Sequence, residues 1–150
     1  MQSLRNDCFI QFAVVGQASS EVIGHAIAYD ADFRHARCAI GIALRGEATG
    51  RGLGVEAGVL FVSYLFQTWP FNKLFLEVPA FNLPQVRSLT DHLVREATIP
   101  QHQYFAHEYH DLHIFSIKRE AWPLRPQQGY QSIKQATSSS FLRRPVEHAQ

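Results

Sequence analysis

The chain has 150 residues, of which 46% are hydrophobic and 18% are charged, and its formal net charge is +1. This length and balance fit one globular domain and exclude a disordered, collagenous or coiled-coil chain. Since the sequence has no polybasic run and no interleaving of basic and aromatic residues, we expect no nucleic-acid or anionic-membrane partner, and a ligand in a local pocket instead.

The cysteines and the hydropathy pattern indicate the compartment. Cys8 and Cys38 lie far apart without a Cys-x-x-Cys pair, so they predict neither a disulfide framework nor a zinc site. The first residues lack the apolar core of a signal peptide, and no stretch of about 20 apolar residues could cross a bilayer. We therefore expect a cytoplasmic protein with two buried thiols.

Three apolar runs in the first third of the chain predict three short strands, at residues 8–15, 22–29 and 38–44. Their hairpin spacing predicts an antiparallel meander. The period then changes, because apolar residues between positions 54 and 66 recur at steps of three and four, which predicts a well-buried helix. The apolar run 74–78 follows the helix after a short link, so it should be the second strand of a βαβ unit, parallel to the third strand.

The second half of the chain carries weaker signals. Asn82 could cap a helix from residue 83 to about residue 96, with Pro84 in a first-turn position that needs no donor. Residues 103–107 and 112–118 predict a closing hairpin. We expect the globular domain to span residues 1–122 and the Pro-, Gln-, Ser- and Arg-rich residues 123–150 to form a mobile tail, with a docked terminal helix as the alternative.

The most informative segment is a glycine-rich turn between an apparent strand and the buried helix. Gly50, Gly52 and Gly54 permit positive φ and close backbone approach, and the first N–H groups of the helix lack internal partners at the positive end of the dipole. Such a turn can bind a pyrophosphate, at about 1.5 to 3 kcal/mol for each charge-assisted bond. Arg51 adds a possible side-chain contact. The alternative is a tight turn whose glycines only let the helix pack on the sheet.

Two phosphate-binding motifs compete for this turn. A P-loop is excluded because no Gly-Lys-Ser or Gly-Lys-Thr follows the turn. The dinucleotide fingerprint fits residues 52–57, with Glu77 about twenty residues on, which leaves a dinucleotide-dependent reductase as a third-ranked reading. Two observations weigh against it: antiparallel-type strands precede the turn, and Glu77 lies inside its strand.

Residues 50–57, Gly-Arg-Gly-Leu-Gly-Val-Glu-Ala, resemble the coenzyme turn of the GNAT superfamily, and particularly that of its ribosomal-protein acetyltransferase-like subgroup. The resemblance continues at residues 64–66, 73–78, 82 and 111–119, and covers about residues 7–122. It implies an α/β (α+β) fold with a mixed sheet, in which antiparallel strands precede a central βαβ unit with splayed parallel strands and a closing hairpin follows. It also implies that acetyl-CoA is the acyl donor.

The resemblance implies roles for individual residues. The backbone of Ile42, Ala43 and Leu44 would bond the pantetheine arm of acetyl-CoA and polarise the thioester, and Asn82 would contact the arm further along. The pyrophosphate would lie on the turn. Its candidate residues are Thr49, Gly50, Arg51, Gly52, Leu53 and Gly54.

The sequence departs from the family pattern where acid–base chemistry is expected. The strand and two helices that normally wall the acceptor site are not found before residue 7. Three explanations stay open: a shortened gene product, a homodimer or partner chain that supplies the wall, or an acceptor that is held differently. Ala39, Gly41 and Ala43 occupy the strand face where many relatives carry a carboxylate. Leu89 stands where many relatives have the tyrosine that protonates the leaving thiolate, and Ser88 could replace it only weakly.

Deprotonation of the amine therefore needs another group, because an amine with a reference pKa near 10.4 costs roughly 4 kcal/mol to deprotonate at neutral pH. His25 is one candidate base, although a satisfied core histidine is the simpler interpretation of that residue. The polar cluster 107–113 contains three histidines, and His110 or His113 could lie near an acceptor. We expect a polar hairpin there and no metal site.

These observations lead to one leading hypothesis and one alternative. The leading hypothesis is an acyltransferase that moves an acetyl group from acetyl-CoA to an amine, such as a peptide N-terminus, a lysine or a small amine. The alternative is a non-catalytic acyl-CoA-binding or interaction module, which the missing wall, Ala39 and Leu89 favour.

Overall fold

The computed structural model of the chain describes residues 8–48, 52–86, 92–122 and 140–142. These residues form a mixed sheet of seven strands, ordered β5-β6-β4-β3-β2-β1-β7. Among these described strands, the β3–β4 pair is parallel and the other pairs are antiparallel. The strands are β1 (Cys8–Gly16), β2 (Val22–Asp32), β3 (Arg37–Leu44), β4 (Lys73–Pro79), β5 (Val94–Phe105), β6 (Glu108–Lys118) and β7 (Ser140–Leu142).

Helix α1 (Leu53–Thr68) connects β3 to β4 and covers one face of the sheet. Its three- and four-residue apolar spacing places Phe61, Leu65 and Phe66 in the core, each at most 2% exposed. They pack on strand residues such as Ile40 and Leu74. Each of these large apolar side chains contributes about 1.5 to 3 kcal/mol on burial.

Arg119 caps the C-terminal end of α1. Its guanidinium donates to the carbonyls of Phe66 and Trp69 at the C-terminus of α1, and its Nε donates to the carbonyl of Phe71 at 2.6 Å. The backbone N–H of Arg119 donates to Asn72. Because the last carbonyls of a helix lack internal partners and carry negative partial charge, a cation at this place satisfies them and favours the helix dipole.

The structure confirms the predicted meander, the buried helix and the parallel βαβ unit, with boundaries shifted by one to three residues. The predicted helix from residue 83 to residue 96 is wrong at its end. Helix α2 (Leu83–Val86) has four residues, and Val94–Phe105 form β5, which pairs with β6. Val94 and Arg95 pair with Ser116 and Phe115 of β6, and this pairing outweighs their local preference for a helix.

The two cysteines differ in burial. Cys38 is buried, and burial raises the pKa of its thiol to about 11. Cys8 is exposed at the first residue of β1, so the expectation that both thiols are buried is wrong for Cys8. The position at the end of a strand leaves that side chain in solvent.

Of the predicted tail, the structure describes only Ser140–Leu142, which pair as β7 with the last residues of β1. The domain boundary at residue 122 stays a prediction. Trp122 itself is buried, and its indole N–H donates to the hydroxyl of Ser63 in α1 at 3.1 Å. No helix in the described ranges is both long and apolar enough for a membrane span.

Candidate functional site

The two parallel strands of the sheet pair at their amino ends and separate at their carboxyl ends. Arg37 to Ile40 of β3 pair with Lys73 to Leu76 of β4. Beyond this point β3 pairs only with β2, and residues 77–79 of β4 pair only with β6, among the residues that the structure describes. We call the resulting gap, between residues 41–44 and residues 77–79, the cleft.

Backbone groups of β3 face this cleft. The N–H of Arg45 donates to the carbonyl of Ile23 in β2 at 2.8 Å, so Arg45 and Ile23 form a hydrogen-bonded antiparallel pair. Successive residues of a strand direct their peptide groups to opposite neighbours. The N–H and C=O groups of Ile42 and Leu44 therefore face β4, where no described strand pairs with them, whereas those of Ala43 face His25 in β2.

Gly24 explains in part why β3 stays with β2 at this end. An ideal Cβ on Gly24 would lie 2.2 Å from the carbonyl oxygen of Ala43 and 3.0 Å from the Cα of Leu44. Only a glycine allows the two backbones to approach so closely. The end of β3 is thus held by β2 and is free to diverge from β4.

The first turn of α1 lies at the mouth of the cleft. Gly52 has φ 75°, the left-handed conformation that favours glycine. A Cβ on Gly54 would lie 3.4 Å from Cδ1 of Leu44, so this turn packs against the end of β3. The N–H groups of Leu53, Gly54 and Val55 precede the first intrahelical bond, which runs from Glu56 to Gly52, and no acceptor among the described residues reaches them. These N–H groups can receive an anion.

Some predicted coenzyme residues cannot be placed. Thr49, Gly50 and Arg51 lie outside the described residues, and so does Ser88. Asn82 ends a short 3₁₀ turn directly after β4, at the carboxyl edge that also carries the cleft. Its Oδ1 accepts a bond from the Gln85 side chain at 3.4 Å, within the short α2 segment.

The sheet face opposite α1 carries the groups that could handle a proton. We call it the open face. Gly41 and Ala43 of β3 form its floor beside the cleft, and half-buried His25 lies directly opposite Ala43 on β2. Glu77 of β4 lies on the other side of the cleft on this same face and is exposed. Two groups that can accept a proton thus border a floor of small residues.

Sequence reasoning missed Glu77 as a candidate base, because it considered this carboxylate only as a ribose contact. The signal was present in the alternation of β4. Leu74 and Leu76 pack on the α1 side of the sheet, so Glu77 must point to the opposite face. Where β3 and β4 part could not be deduced from the sequence.

The polar cluster 107–113 is divided by the hairpin. His107 lies in the turn with φ 68°, and His110 contacts the carbonyl of Phe105 through its Nε2 at 3.2 Å. Asp111 accepts a bond from the backbone of Gln101, and buried His113 bonds to the hydroxyl of Thr98 through Nδ1 at 2.9 Å. Within the described ranges, no three His, Cys, Asp or Glu side chains are grouped so as to hold a metal ion.

The two carboxyl groups with a lowered pKa lie away from the cleft. The hydrogen bond from Lys73, and then that from Ser116, lowers the pKa of Glu96, and the hydrogen bond with His35 lowers the pKa of Asp32. Glu96 of β5 accepts bonds from Ser116 of the neighbouring β6 and from Lys73 of β4 beyond it, and Asp32 contacts His35 across a turn. They stabilise the ends of the sheet remote from the candidate site.

Comparison with known proteins agrees with this geometry. A family model described as Acetyltransferase (GNAT) domain matches residues 1–91. The chain is similar to the spermidine/spermine N-acetyltransferase SpeG from Vibrio cholerae in complex with manganese ions, at 19% identity and a TM-score of 0.71, over 83% of this chain and 72% of that chain. No curated protein sequence matches significantly.

Two further solved structures have the same fold. A dodecameric structure of spermidine N-acetyltransferase from Vibrio cholerae is 19% identical with a TM-score of 0.70, and 78% of this chain matches 68% of that chain. A GCN5-related N-acetyltransferase from Brucella melitensis is 24% identical with a TM-score of 0.65, and 83% of this chain matches 56% of that chain.

Proposed function

This chain belongs to the GNAT acetyltransferase family, and we propose that it transfers an acetyl group from acetyl-CoA to an amine by direct attack of the amine on the thioester. The observation that carries the proposal is the cleft between β3 and β4 with the first turn of α1 at its mouth. The peptide groups of Ile42 and Leu44 on the cleft side pair with no strand in the described part of the chain, and they suit the amides of a pantetheine arm, because each buried amide needs a hydrogen-bond partner.

The first turn of α1 suits the pyrophosphate of the coenzyme. The N–H groups of Leu53, Gly54 and Val55 point out of the helix at its positive end, and an anion there gains both hydrogen bonds and dipole stabilisation. We extend this site to Thr49, Gly50 and Arg51 from the sequence resemblance. Asn82 at the far end of the cleft is the proposed contact to the pantetheine arm.

The open face supplies the proton chemistry in this proposal. The amine nitrogen must be neutral to form its bond to the thioester carbonyl carbon, while the carbon–sulfur bond breaks. Glu77 is the proposed acceptor of the amine proton and His25 the alternative acceptor, since both border the floor formed by Gly41 and Ala43. The leaving thiolate takes its proton from solvent, because the position of the usual tyrosine is Leu89.

A second candidate function is a non-catalytic acyl-CoA-binding module. The small residues Ala39, Gly41 and Ala43 favour it, because none of these three positions on the open face of β3 carries a proton acceptor. The two functions share the cleft and differ only in whether free thiol is released. Glu77 favours the enzyme, because a binding module has no need of a carboxylate beside the thioester.

Two measurements test the proposal in sequence. Calorimetry with acetyl-CoA should give saturable heat, and the absence of heat at millimolar ligand with folded protein would refute the coenzyme site. Thiol release is then followed with a panel of peptides, lysine derivatives, small amines and the polyamine spermidine, which the names of the two Vibrio neighbours suggest. Binding without thiol release across the panel, even at high protein concentration, would favour the binding module.

The remaining proposals concern the setting of the enzyme. We propose a domain at residues 1–122 with a tail at 123–150, a cytoplasmic location, and membership of the ribosomal-protein acetyltransferase-like subgroup. A homodimer or partner chain that covers the open face would complete the acceptor site. The dodecameric neighbour makes self-association the first possibility to measure, by light scattering of the purified chain.

A further inference from the structure

An exposed group of rings lies beyond the carboxyl end of β4. Phe81 stacks on Phe105 with ring centroids 4.8 Å apart, and the ring of His110 meets Phe81 edge-on at 5.0 Å. Phe105 is 58% exposed and Phe81 is 38% exposed. We call these three residues the distal ring cluster. No step of the proposed reaction uses it.

The distal ring cluster lies on the open face, the same face as Glu77. Glu77 pairs with Ile114 of β6, and cross-strand partners point to the same side of a sheet. His110 is four residues before Ile114 on β6, so strand alternation keeps it on that side. Gln103 pairs with His110, and Phe105, two residues further on, shares its side.

The distance between the cluster and the proposed base follows from the strand. Four residues of an antiparallel strand span about 14 Å. Pro79 and Leu112 form the pair that lies between, where Pro79 is half-buried and Leu112 is buried. The line from Glu77 to the distal ring cluster along β4 and β6 thus passes over the ring of Pro79, and it meets no charged side chain on the intervening pair.

We propose that the distal ring cluster binds an aromatic or other apolar group of the acceptor, so that the acceptor is an elongated primary amine with such a group about 14 Å from the reacting nitrogen. This inference rests on the proposed acetyl transfer at the cleft. The exposed face of Phe105 is free to stack on a flat ring of the ligand, because its other face already lies on Phe81.

The chain contains a matched control for this inference. Tyr104 and Tyr109 form a second exposed ring pair on the same hairpin, with centroids 5.0 Å apart. They are directly opposite each other in register and alternate with Phe105 and His110, so they point to the α1 side of the sheet. Tyr104 is 63% exposed, close to the value for Phe105. If any aromatic residue of this hairpin affected acceptor binding, substitution of Tyr104 would have the same effect as substitution of Phe105.

The experiment compares wild type, Phe105→Ala and Tyr104→Ala with two acceptor sets. One set consists of n-alkylamines and ω-phenylalkylamines of increasing length, and the other consists of short peptides with one phenylalanine placed at successive positions. For the preferred member, Phe105→Ala should raise the acceptor KM about 10-fold, with the KM for acetyl-CoA and the kcat unchanged. Tyr104→Ala should match wild type. Comparing the sets tells whether the group belongs to a small molecule or a peptide.

Direct binding separates this inference from the acetyl-transfer proposal. Calorimetry of the same phenylalkylamines with coenzyme-saturated protein should show affinity that Phe105→Ala weakens and Tyr104→Ala does not, even if no amine is acetylated. Binding that depends on Phe105, with no amine acetylated, would refute acetyl transfer and support the distal ring cluster as a binding site. Transfer that is indifferent to the phenyl group and to Phe105→Ala would overturn the ring site alone. A loss of self-association in Phe105→Ala, with acceptor KM unchanged, would also overturn it and identify a contact between copies.

Discussion

The two ends of the β3–β4 pair differ in how completely their backbone is satisfied. At the amino end, the N–H groups of Asn72 and Lys73 both donate to the carbonyl of Ala36, and Arg119 joins the carbonyl of Phe71 to the end of α1. At the carboxyl end, the strands part and peptide groups face a gap. The same two strands therefore stabilise the fold at one end and offer unpaired groups to a ligand at the other.

Gly52→Val should produce the largest loss of acetyl-CoA affinity, because it alters the turn at the carboxyl end of the β3–β4 pair. A β-branched residue cannot adopt φ 75° without strain, so the first turn of α1 should lose its aligned N–H groups. Loss of several charge-assisted bonds should weaken acetyl-CoA binding at least about 1,000-fold by calorimetry. Gly46→Val is the control, because a Cβ at exposed Gly46 meets nothing within 4 Å. Equal affinity of the two variants would contradict the turn as a pyrophosphate site.

Glu77→Gln tests the proton acceptor at the same end. We expect kcat/KM for the amine to fall about 100-fold near neutral pH, with acetyl-CoA affinity preserved, because a general base contributes on this scale. The deficit should shrink as the pH approaches the pKa of the amine, where more of it is already neutral. His25→Gln is the matched variant across the cleft. If only His25→Gln lowers the rate, then His25 and not Glu77 accepts the proton.

Arg119→Ala tests the amino end of the β3–β4 pair, which we call the closed end. The variant loses two hydrogen bonds to carbonyls at the end of α1 and one to the carbonyl of Phe71, and we expect it to lower the free energy of unfolding by about 2 to 4 kcal/mol. Urea denaturation measures this loss, and Arg34→Ala, at an exposed position, is the control. Acetyl-CoA affinity of the folded fraction should remain. If Arg119→Ala were as stable as wild type but bound acetyl-CoA weakly, then the amino end would serve ligand binding and not stability, contrary to our assignment.

The smallest expected effect is a pH dependence of stability near the closed end. Glu96 accepts bonds from Lys73 and Ser116, which lower its pKa in the folded state below the reference value of 4.5. A carboxyl with a depressed folded pKa stabilises the protein above its unfolded pKa, and this contribution is lost as the pH falls through the folded pKa. Glu96→Gln should therefore reduce the decline in melting temperature between about pH 5 and 3. Glu21→Gln should keep the wild-type decline.

The fold was predictable wherever one element has a clear period. The core spacing of α1 and the apolar runs of β1 to β4 identify those elements, because each contributes apolar side chains to the core. The closing hairpin predicted at residues 103–107 and 112–118 is confirmed by the pairing of β5 with β6. Residues 94–102 of β5 were missed, because this edge strand has nearly all its side chains exposed and two register irregularities, so no apolar alternation marks it. Its backbone pairing with β6, a long-range contact, decides its structure.

The candidate site was predictable only in part. The spacing of Gly52 and Gly54 indicated an anion-binding helix start, and Gly54 does pack against Leu44 at the end of β3. That Ile42 and Leu44 turn their peptide groups to the cleft, while Ala43 faces His25, depends on the hydrogen-bonding phase of the β2–β3 pair. Sequence patterns show which face of the sheet a side chain takes. They do not show which residues of β3 form the hydrogen-bonded pairs with β2.

The unequal exposure of the two cysteines has a practical consequence. A thiol with a pKa of about 11 stays protonated and unreactive at neutral pH, so a disulfide reagent should modify Cys8 and spare Cys38 in the native protein. Colorimetric detection of released coenzyme would then carry a background of one equivalent per chain. The same selectivity makes Cys8 a unique attachment point for a fluorophore or a spin label.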